Sequence, residues 1–199
     1  MLKGIICIII AYLLGNINCA TLISTKLKKT DIRTVGSGNA GTTNMIRTFG
    51  TKLGLITFFG DFLKGVIAVL ICMLIGGKDA RLVYGCIGAF FVVIGHIWPA
   101  VYQFKGGKGA ATSLGAIFIV SPFIALFALI AAGLALALTK KMSISSLLGV
   151  TIALVLALFI SPLPMKLLMV GIFIIIVFKH KDNIQRLLEG KENDTFKRQ

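Results

Sequence analysis

The feature that leaves this chain least freedom is a succession of apolar runs, about 15 to 25 residues each, from Leu2 to Phe178. In hydrocarbon a run of that length satisfies its own backbone groups by coiling into a helix. The composition agrees: 57% of residues are apolar, mean hydropathy is +0.95 and 14% are charged, where a soluble domain has about 25% charged. No stretch is long enough for a separate soluble domain, and there are no repeats or low-complexity linkers, so residues 1–199 read as one integral membrane domain. The net charge of +14 suits loops facing anionic headgroups and anionic substrates better than nucleic acid. Cys7, Cys19, Cys72 and Cys86 lie inside apolar runs with no C-x-x-C, and read as packing residues rather than a disulfide frame or a metal site. No A-x-A cleavage site follows the first run, which reads as a span and not as a signal peptide.

Taken in order, span one covers Leu2 to Ser24 and is interrupted by Gly15-Asn16-Ile17-Asn18. A polar, basic loop follows from Lys26 to Lys52. Span two runs from Leu53 to Ile75 and contains Asp61 and Lys64, which share a helix face at i, i+3 and can pair. Span three covers Leu82 to Trp98. The run from Ala110 to Leu138 is either one long tilted helix or two helices turning at Ser121-Pro122, and charge decides between them. With the N-terminus outside and a turn at Pro122, Lys26, Lys28, Lys29, Arg33, Arg47, Lys52, Lys105, Lys108, Lys140, Lys141 and the six basic residues from Lys179 onward all lie inside, 16 in all, against four outside (Lys3, Lys78, Arg81, Lys166). Without the turn the split is 9 inside to 11 outside. The positive-inside rule selects the turn. Spans six and seven cover Ile144–Ile160 and Met165–Phe178. The predicted fold is an all-α polytopic membrane protein of seven transmembrane helices, N-terminus outside, C-terminus cytoplasmic. Ile184, Leu187 and Leu188 fall at helical spacing in the tail and predict a short amphipathic helix on the membrane surface.

This topology brings three polar clusters to one face. In Gly95 to Thr112 two lysines are threaded through glycines ahead of a new apolar run. Gly106, Gly107 and Gly109 let backbone approach a ligand, Lys105 and Lys108 add charge, and the following helix offers unpaired N–H groups, so the stretch reads as either an anion site or a basic turn. It lacks the spacing of a nucleotide P-loop. The second cluster, Gly36 to Arg47, holds Ser37 flanked by Gly36 and Gly38, then Asn39, Asn44 and Arg47. Ser37 fits a turn or a contact to a substrate hydroxyl, the asparagines fit caps or substrate contacts, and Arg47 fits a topology signal or a phosphate pair. The third, Lys179 to Glu189, sets His180 and Asn183 one helical turn apart. His96 ends span three and fits a structural hydrogen bond or a catalytic role. No cluster has metal-ligand spacing, and no cofactor is implied.

G-S-G-N-A-G-T-T-N-M-I-R (Gly36 to Arg47), G-H-x-x-P with F-K-G-G-K-G-x-A-T (Gly95 to Pro99, Phe104 to Thr112) and H-x-x-N-I-x-R-L-L-x-G-x-E (His180 to Glu192) resemble, in order and spacing, the three cytoplasmic motifs of the bacterial membrane glycerol-3-phosphate acyltransferases that use acyl phosphate. The Asp61-x-x-Lys64-Gly65 step fits the same family, with Thr42, Trp98 and Lys179 as small departures. The resemblance implies acyl transfer from a long-chain acyl phosphate to the 1-hydroxyl of glycerol-3-phosphate, the first acylation of phospholipid synthesis, at the cytoplasmic face of the bacterial cell membrane. It implies Ser37, Arg47, His180 and Asn183 as catalytic residues. Gly36, Gly38, Asn39, Asn44, His96 and the Lys105–Gly109 loop are its substrate contacts, with that loop on the phosphate of glycerol-3-phosphate, and Glu192 is structural. Membrane lipid and transient contact with the soluble enzyme that makes acyl phosphate complete its partners. The His-x4-Asp pattern of other glycerol-3-phosphate acyltransferases is absent, since Val101 and Gln185 stand where its Asp would be.

From the residues alone the rivals are a transporter for a small phosphate-containing anion, suggested by Asn16, Asn18, Asp61, Lys64 and the Pro122 break, and a basic membrane scaffold. The topology makes a direct prediction. In a background lacking the native cysteines, an impermeant thiol reagent added outside should label a cysteine at 121 and spare one at 140; labelling at 140 would contradict the seven-helix arrangement.

Overall fold

The computed structural model describes residues 1–197, so Arg198, one of the six basic tail residues, lies outside the described set. Ten α-helices and two short 3-10 turns make up the described fold, with no strand among these residues. Their bounds are α1 Leu2–Asn16, α2 Cys19–Lys28, α3 Thr42–Phe49, α4 Thr51–Gly76, α5 Arg81–Ile97, α6 Ala110–Val120, α7 Pro122–Thr139, α8 Met142–Ile160, α9 Leu163–Lys179 and α10 Lys181–Leu188. Five segments are long and apolar enough to cross a membrane: Leu2–Lys28, Thr51–Gly76, Arg81–Tyr102, Pro122–Thr139 and Met142–Ile160. A sixth arises if α9 and α10, bent by 59°, count as one. The seventh predicted span is α6, which has 11 residues and rises about 16 Å, roughly half of the 30 Å hydrocarbon core. Pro122 divides α6 from α7 as the sequence predicts. It occupies the first helical position, where its missing N–H goes unused.

The loop predicted between Lys26 and Lys52 holds a helix, α3. Met45 and Ile46 are buried on it, and an eight-residue amphipathic turn of this kind is stabilised by packing, not by its own propensity. The break in span one is a true interruption. Asn18 caps α2 by accepting from Thr21 N–H at 2.9 Å, and its side-chain amide donates to Ala40 O at 3.1 Å, tying the break to the second polar cluster.

Several breaks meet at one level, halfway along α4. Lys64 Nζ donates to Ile17 O at the α1–α2 break (2.6 Å), lies 2.8 Å from Asp61 Oδ1 and 2.8 Å from His96 Nδ1 at the end of α5. All three side chains are buried. An ammonium only donates, so Nδ1 of His96 accepts and the ring proton sits on Nε2. Gly65 packs on α6: a Cβ there would stand 2.9 Å from Ala116 N. The segments running from this level away from the polar clusters (α1, α5 and α4 beyond Lys64) rise about 18–25 Å, short of the ~30 Å hydrocarbon core. The polar level therefore lies within the hydrocarbon thickness.

A buried ion pair is costly to break from one side, because the survivor keeps its desolvation penalty. Lys64→Met should destabilise the fold by about 3–5 kcal/mol, read as a lowered unfolding midpoint in detergent, and Asp61→Leu added to it should recover part of the loss. An unchanged midpoint in the single variant would show that the pair does not hold this level together.

Candidate active site

The three polar clusters open onto one cavity of about 370 Å³. Ser37, Asn39, Arg47, His96, Lys108, Gly109, His180 and Asn183 line it. Gly36, Gly38, Asn44, Lys105, Gly106 and Gly107 do not line it, and the structure shows what they do instead. Asn44 is buried and accepts from Ser37 N–H at 3.0 Å while donating to Ile32 O and Val35 O at 3.0 Å each. It folds the Gly36–Gly38 turn, both of whose glycines are left-handed, over α3. Gly106 N–H donates to Ile97 O at 3.2 Å and Gly107 N–H to His96 O at 3.1 Å, so these glycines close the loop onto the end of α5. Glycine is needed at 107 because a Cβ would meet the His96 ring, with Cε1 at 2.8 Å. Lys105 is exposed. The anion-binding potential thus lies one residue further on, at Lys108 and the first turn of α6, whose N–H groups point from Gly109, Ala110 and Ala111 in the cavity wall.

Lys108 Nζ donates to Asn183 Oδ1. Asn183 Nδ2 donates in turn to Glu192 Oε1 at 2.7 Å, which also accepts from Ser143 Oγ at 3.0 Å, while Arg186 Nε reaches Glu192 Oε2 at 2.8 Å. Sequence reasoning gave Glu192 a structural part by resemblance and did not single out Arg186 or Ser143, which lies on α8 with no motif around it. Arg47, also buried, donates Nε to Asp194 O (3.0 Å) and Nη2 to Asn193 O (2.6 Å). Two of its five N–H donors therefore hold the tail, and Nη1 has no hydrogen-bond partner among the described residues. Met142 N–H donates to Thr195 Oγ1 at 2.8 Å and Thr195 N–H to Lys140 O at 2.8 Å, so the segment from 192 to 195 is strapped across α3, α8 and α10. The predicted tail helix is present, but its buried residue is Asn183, so it faces the cavity rather than only the membrane surface.

Electrostatics sort the titratable groups. Burial, opposed mainly by Glu192, brings the Lys108 ammonium down to about 8. Burial and the Lys108 charge bring His180 down to about 4. Its Nδ1 lies 2.8 Å from Ile176 O, which can only accept, so the neutral ring carries its proton on Nδ1 and turns Nε2 to the cavity as an acceptor. The Thr42 hydroxyl, also in the wall, is buried without a hydrogen-bond partner among the described residues. The arrangement can hold an anion at Lys108, accept one hydrogen bond at His180, and seat an apolar tail along α7 and α8, where Leu129, Leu136 and Val150 continue the wall.

The comparisons agree with this geometry. The sequence model of the family described as glycerol-3-phosphate acyltransferase matches residues 5–190. A glycerol-3-phosphate acyltransferase of Clostridioides difficile (strain 630) is 42% identical over 191 residues, covering 94% of this chain and 93% of the relative. That of Aquifex aeolicus (strain VF5) is 41% identical over 194 residues, covering 96% and 99%. Among solved structures, PlsY (YgiH), an integral membrane glycerol 3-phosphate acyltransferase, matches in its glycerol 3-phosphate form with a TM-score of 0.89 and 38% identity, over 96% of this chain and 94% of that one. Its lysophosphatidic acid form matches with a TM-score of 0.85 and 37% identity, over the same shares.

A bound phosphate favours the charged form of Lys108, so affinity is full below the free-state value and is lost as pH rises through about 8. Inorganic phosphate binding, followed by calorimetry, should weaken across that range. Lys108→Arg, always charged, should give a flat profile to pH ~10; a flat profile in the parent would remove Lys108 from the anion site.

Proposed function

This chain belongs to the glycerol-3-phosphate acyltransferase family, and from that premise we propose that its cavity joins a long-chain acyl phosphate to the 1-hydroxyl of glycerol-3-phosphate. The products are 1-acyl-glycerol-3-phosphate and inorganic phosphate. The observation that carries the reading is a single cavity with a cationic end, at Lys108, Arg47 and the α6 N-terminus, and an apolar arm between α7 and α8. Both substrates carry phosphate and one also carries an acyl chain.

In the reaction the substrate hydroxyl oxygen bonds to the acyl carbon, the bond from that carbon to the phosphate oxygen breaks, and the hydroxyl proton leaves with the phosphate. An acyl phosphate is a mixed anhydride, so direct attack needs no acyl-enzyme to divide the step. Lys108 and the free donor of Arg47 bring two anions together and stabilise the charge growing on the carbonyl oxygen. Ser37 and Asn39, at the cavity rim, contact the polar substrate. His180 Nε2 accepts the hydroxyl hydrogen bond and orients it. With a value of about 4 it is a weak base, and the donor's own phosphate, with a second pKa of about 6, is the better proton acceptor. Asn183 aims Lys108. Asn44, Gly36 and Gly38 shape the turn that presents Ser37; His96, Gly106 and Gly107 set the loop that presents Lys108 and Gly109; Lys105 draws anions toward the mouth.

The same reading makes residues 1–199 one domain that crosses the bacterial cell membrane seven times, with α6 as the short fourth crossing, the N-terminus outside and the cavity mouth at the cytoplasmic face. The 16-to-4 distribution of basic residues supports it. The acyl phosphate comes from a soluble enzyme in transient contact with that basic face.

The purified protein in detergent should release phosphate only when glycerol-3-phosphate and a long-chain acyl phosphate are both present; activity with coenzyme A thioesters alone would overturn the donor assignment. His180→Ala should lose about 10- to 100-fold in kcat while keeping the acidic limb of the pH profile. Loss of that limb would make the histidine the chemical base.

A further inference from the structure

We propose that Gly133 is a specificity-determining residue that sets which acyl chains the enzyme accepts, by holding open a window between α7 and the hydrocarbon. The inference rests on the donor reading above. Glycine inside a helix costs about 1 kcal/mol relative to alanine, so a mid-helix glycine calls for a reason. At most other helical glycines the reason is a neighbouring element, Gly4 near the start of α1 being an exception that lies off the cavity. A Cβ at Gly95 would stand 3.0 Å from Gly15 Cα, one at Gly65 would stand 2.9 Å from Ala116 N, and one at Gly149 would stand 3.2 Å from Ala132 Cβ. At Gly133, inside α7, a Cβ would meet nothing within 4 Å. No packing contact asks for glycine there.

The cavity does. Gly133 lines its apolar arm and is exposed, and so is Leu129 one turn away. Across the arm Leu55 of α4 likewise lines the cavity and is 47% exposed. Because α6 starts only at Ala110 and is short, it fills the space beside α4 and α7 over part of their length. The arm continues along α8 from Ser143 to Ala153, about 15 Å of helix, long enough for much of a long acyl chain. One occupant satisfies both ends: an acyl chain whose phosphate lies at the cationic end of the cavity and whose methylenes pass Gly133, entering sideways from the lipid rather than through the polar mouth.

A Cβ at 133 then enters space that the substrate needs with no protein atom within 4 Å of it. Kinetics with palmitoyl phosphate and octanoyl phosphate test this. Gly133→Leu should lower kcat/KM for palmitoyl phosphate by about tenfold or more, since each methylene excluded from an apolar site is worth that order. It should lower the octanoyl value by less and leave the KM for glycerol-3-phosphate unchanged. Gly133→Ala should fall between. Gly4→Leu is the control, because Gly4 of α1 is also open to space and far from the cavity. The unfolding midpoint of Gly133→Leu should equal or exceed that of the parent, which separates a blocked window from a damaged fold. An unchanged ratio between the two donors, or an equal loss on both with a raised KM for glycerol-3-phosphate, would overturn the proposal. If the parent uses thioester donors in place of acyl phosphates, the donor reading fails, and the same chain-length ratio measured on thioesters still decides the role of Gly133.

Discussion

One buried ammonium group organises this protein. Lys64 lies within the hydrocarbon thickness and joins the backbone of the α1–α2 break, the Asp61 carboxylate and the His96 ring. A charge there is tolerable only when every donor has an acceptor. The three acceptors come from separate helices, so satisfying the charge fixes where span one breaks and where α5 stops. With α5 stopped, Gly106 and Gly107 fold back on its last carbonyls, and the next residues are delivered as Lys108 and the start of α6. The position of Lys108 and the start of α6 is thus a consequence of a structural ion pair one layer beneath it. Separating the two lets the lower layer be fully bonded and rigid while the upper layer keeps free donors for substrate.

The upper layer is closed by a second net, centred on the Glu192 carboxylate. It accepts from Asn183, Ser143 and Arg186, and three nearby hydrogen bonds, from Arg47 to two tail carbonyls and from Lys141 to Glu192 O at 2.8 Å, hold the segment flat across the site. A carboxylate surrounded by Lys108, Arg47 and Arg186 lowers the repulsion among those cations when no substrate is bound. It also leaves net positive charge for an anionic substrate. Glu192 is the foremost acid in that balance, with Asp182 and Asp194 beside it, in a chain with 7 acidic and 21 basic residues.

Much of this was legible in the residues. The apolar runs, the Pro122 break and the Asp61–Lys64 pair follow from length, proline chemistry and helical spacing, while the residues alone leave His96 between a structural bond and a part in the site. The gathering of three polar clusters at one cavity followed from charge bias. What the sequence concealed was how bonds are shared. Nothing in Lys105-Gly106-Gly107-Lys108 says that the middle N–H groups go to the end of α5, since that depends on where α5 stops in space. Nothing in Asn44 distinguishes a ligand contact from a residue whose amide is used on backbone 7 to 12 residues away and on the Thr48 hydroxyl of its own helix. The α3 helix was hidden because its apolar residues are few and lie among glycines and asparagines. Gly133 was one small residue in an apolar run until the space around it was known.

The strap from 192 to 195 has a further consequence for biogenesis. The α3 helix that carries Arg47 and the loop that carries Lys108 leave the ribosome well before the residues that tie this face together. During insertion Arg47 therefore lacks its two tail carbonyls, and Asn183 lacks the acceptor that aims it at Lys108. The nascent protein passes through a stage at which its spans are integrated but its cationic face is still loose and hydrated. Catalytic competence arrives last, with a few polar residues near the end of the described chain, so a chain stalled or trimmed ahead of Glu192 would be a membrane resident without an ordered site.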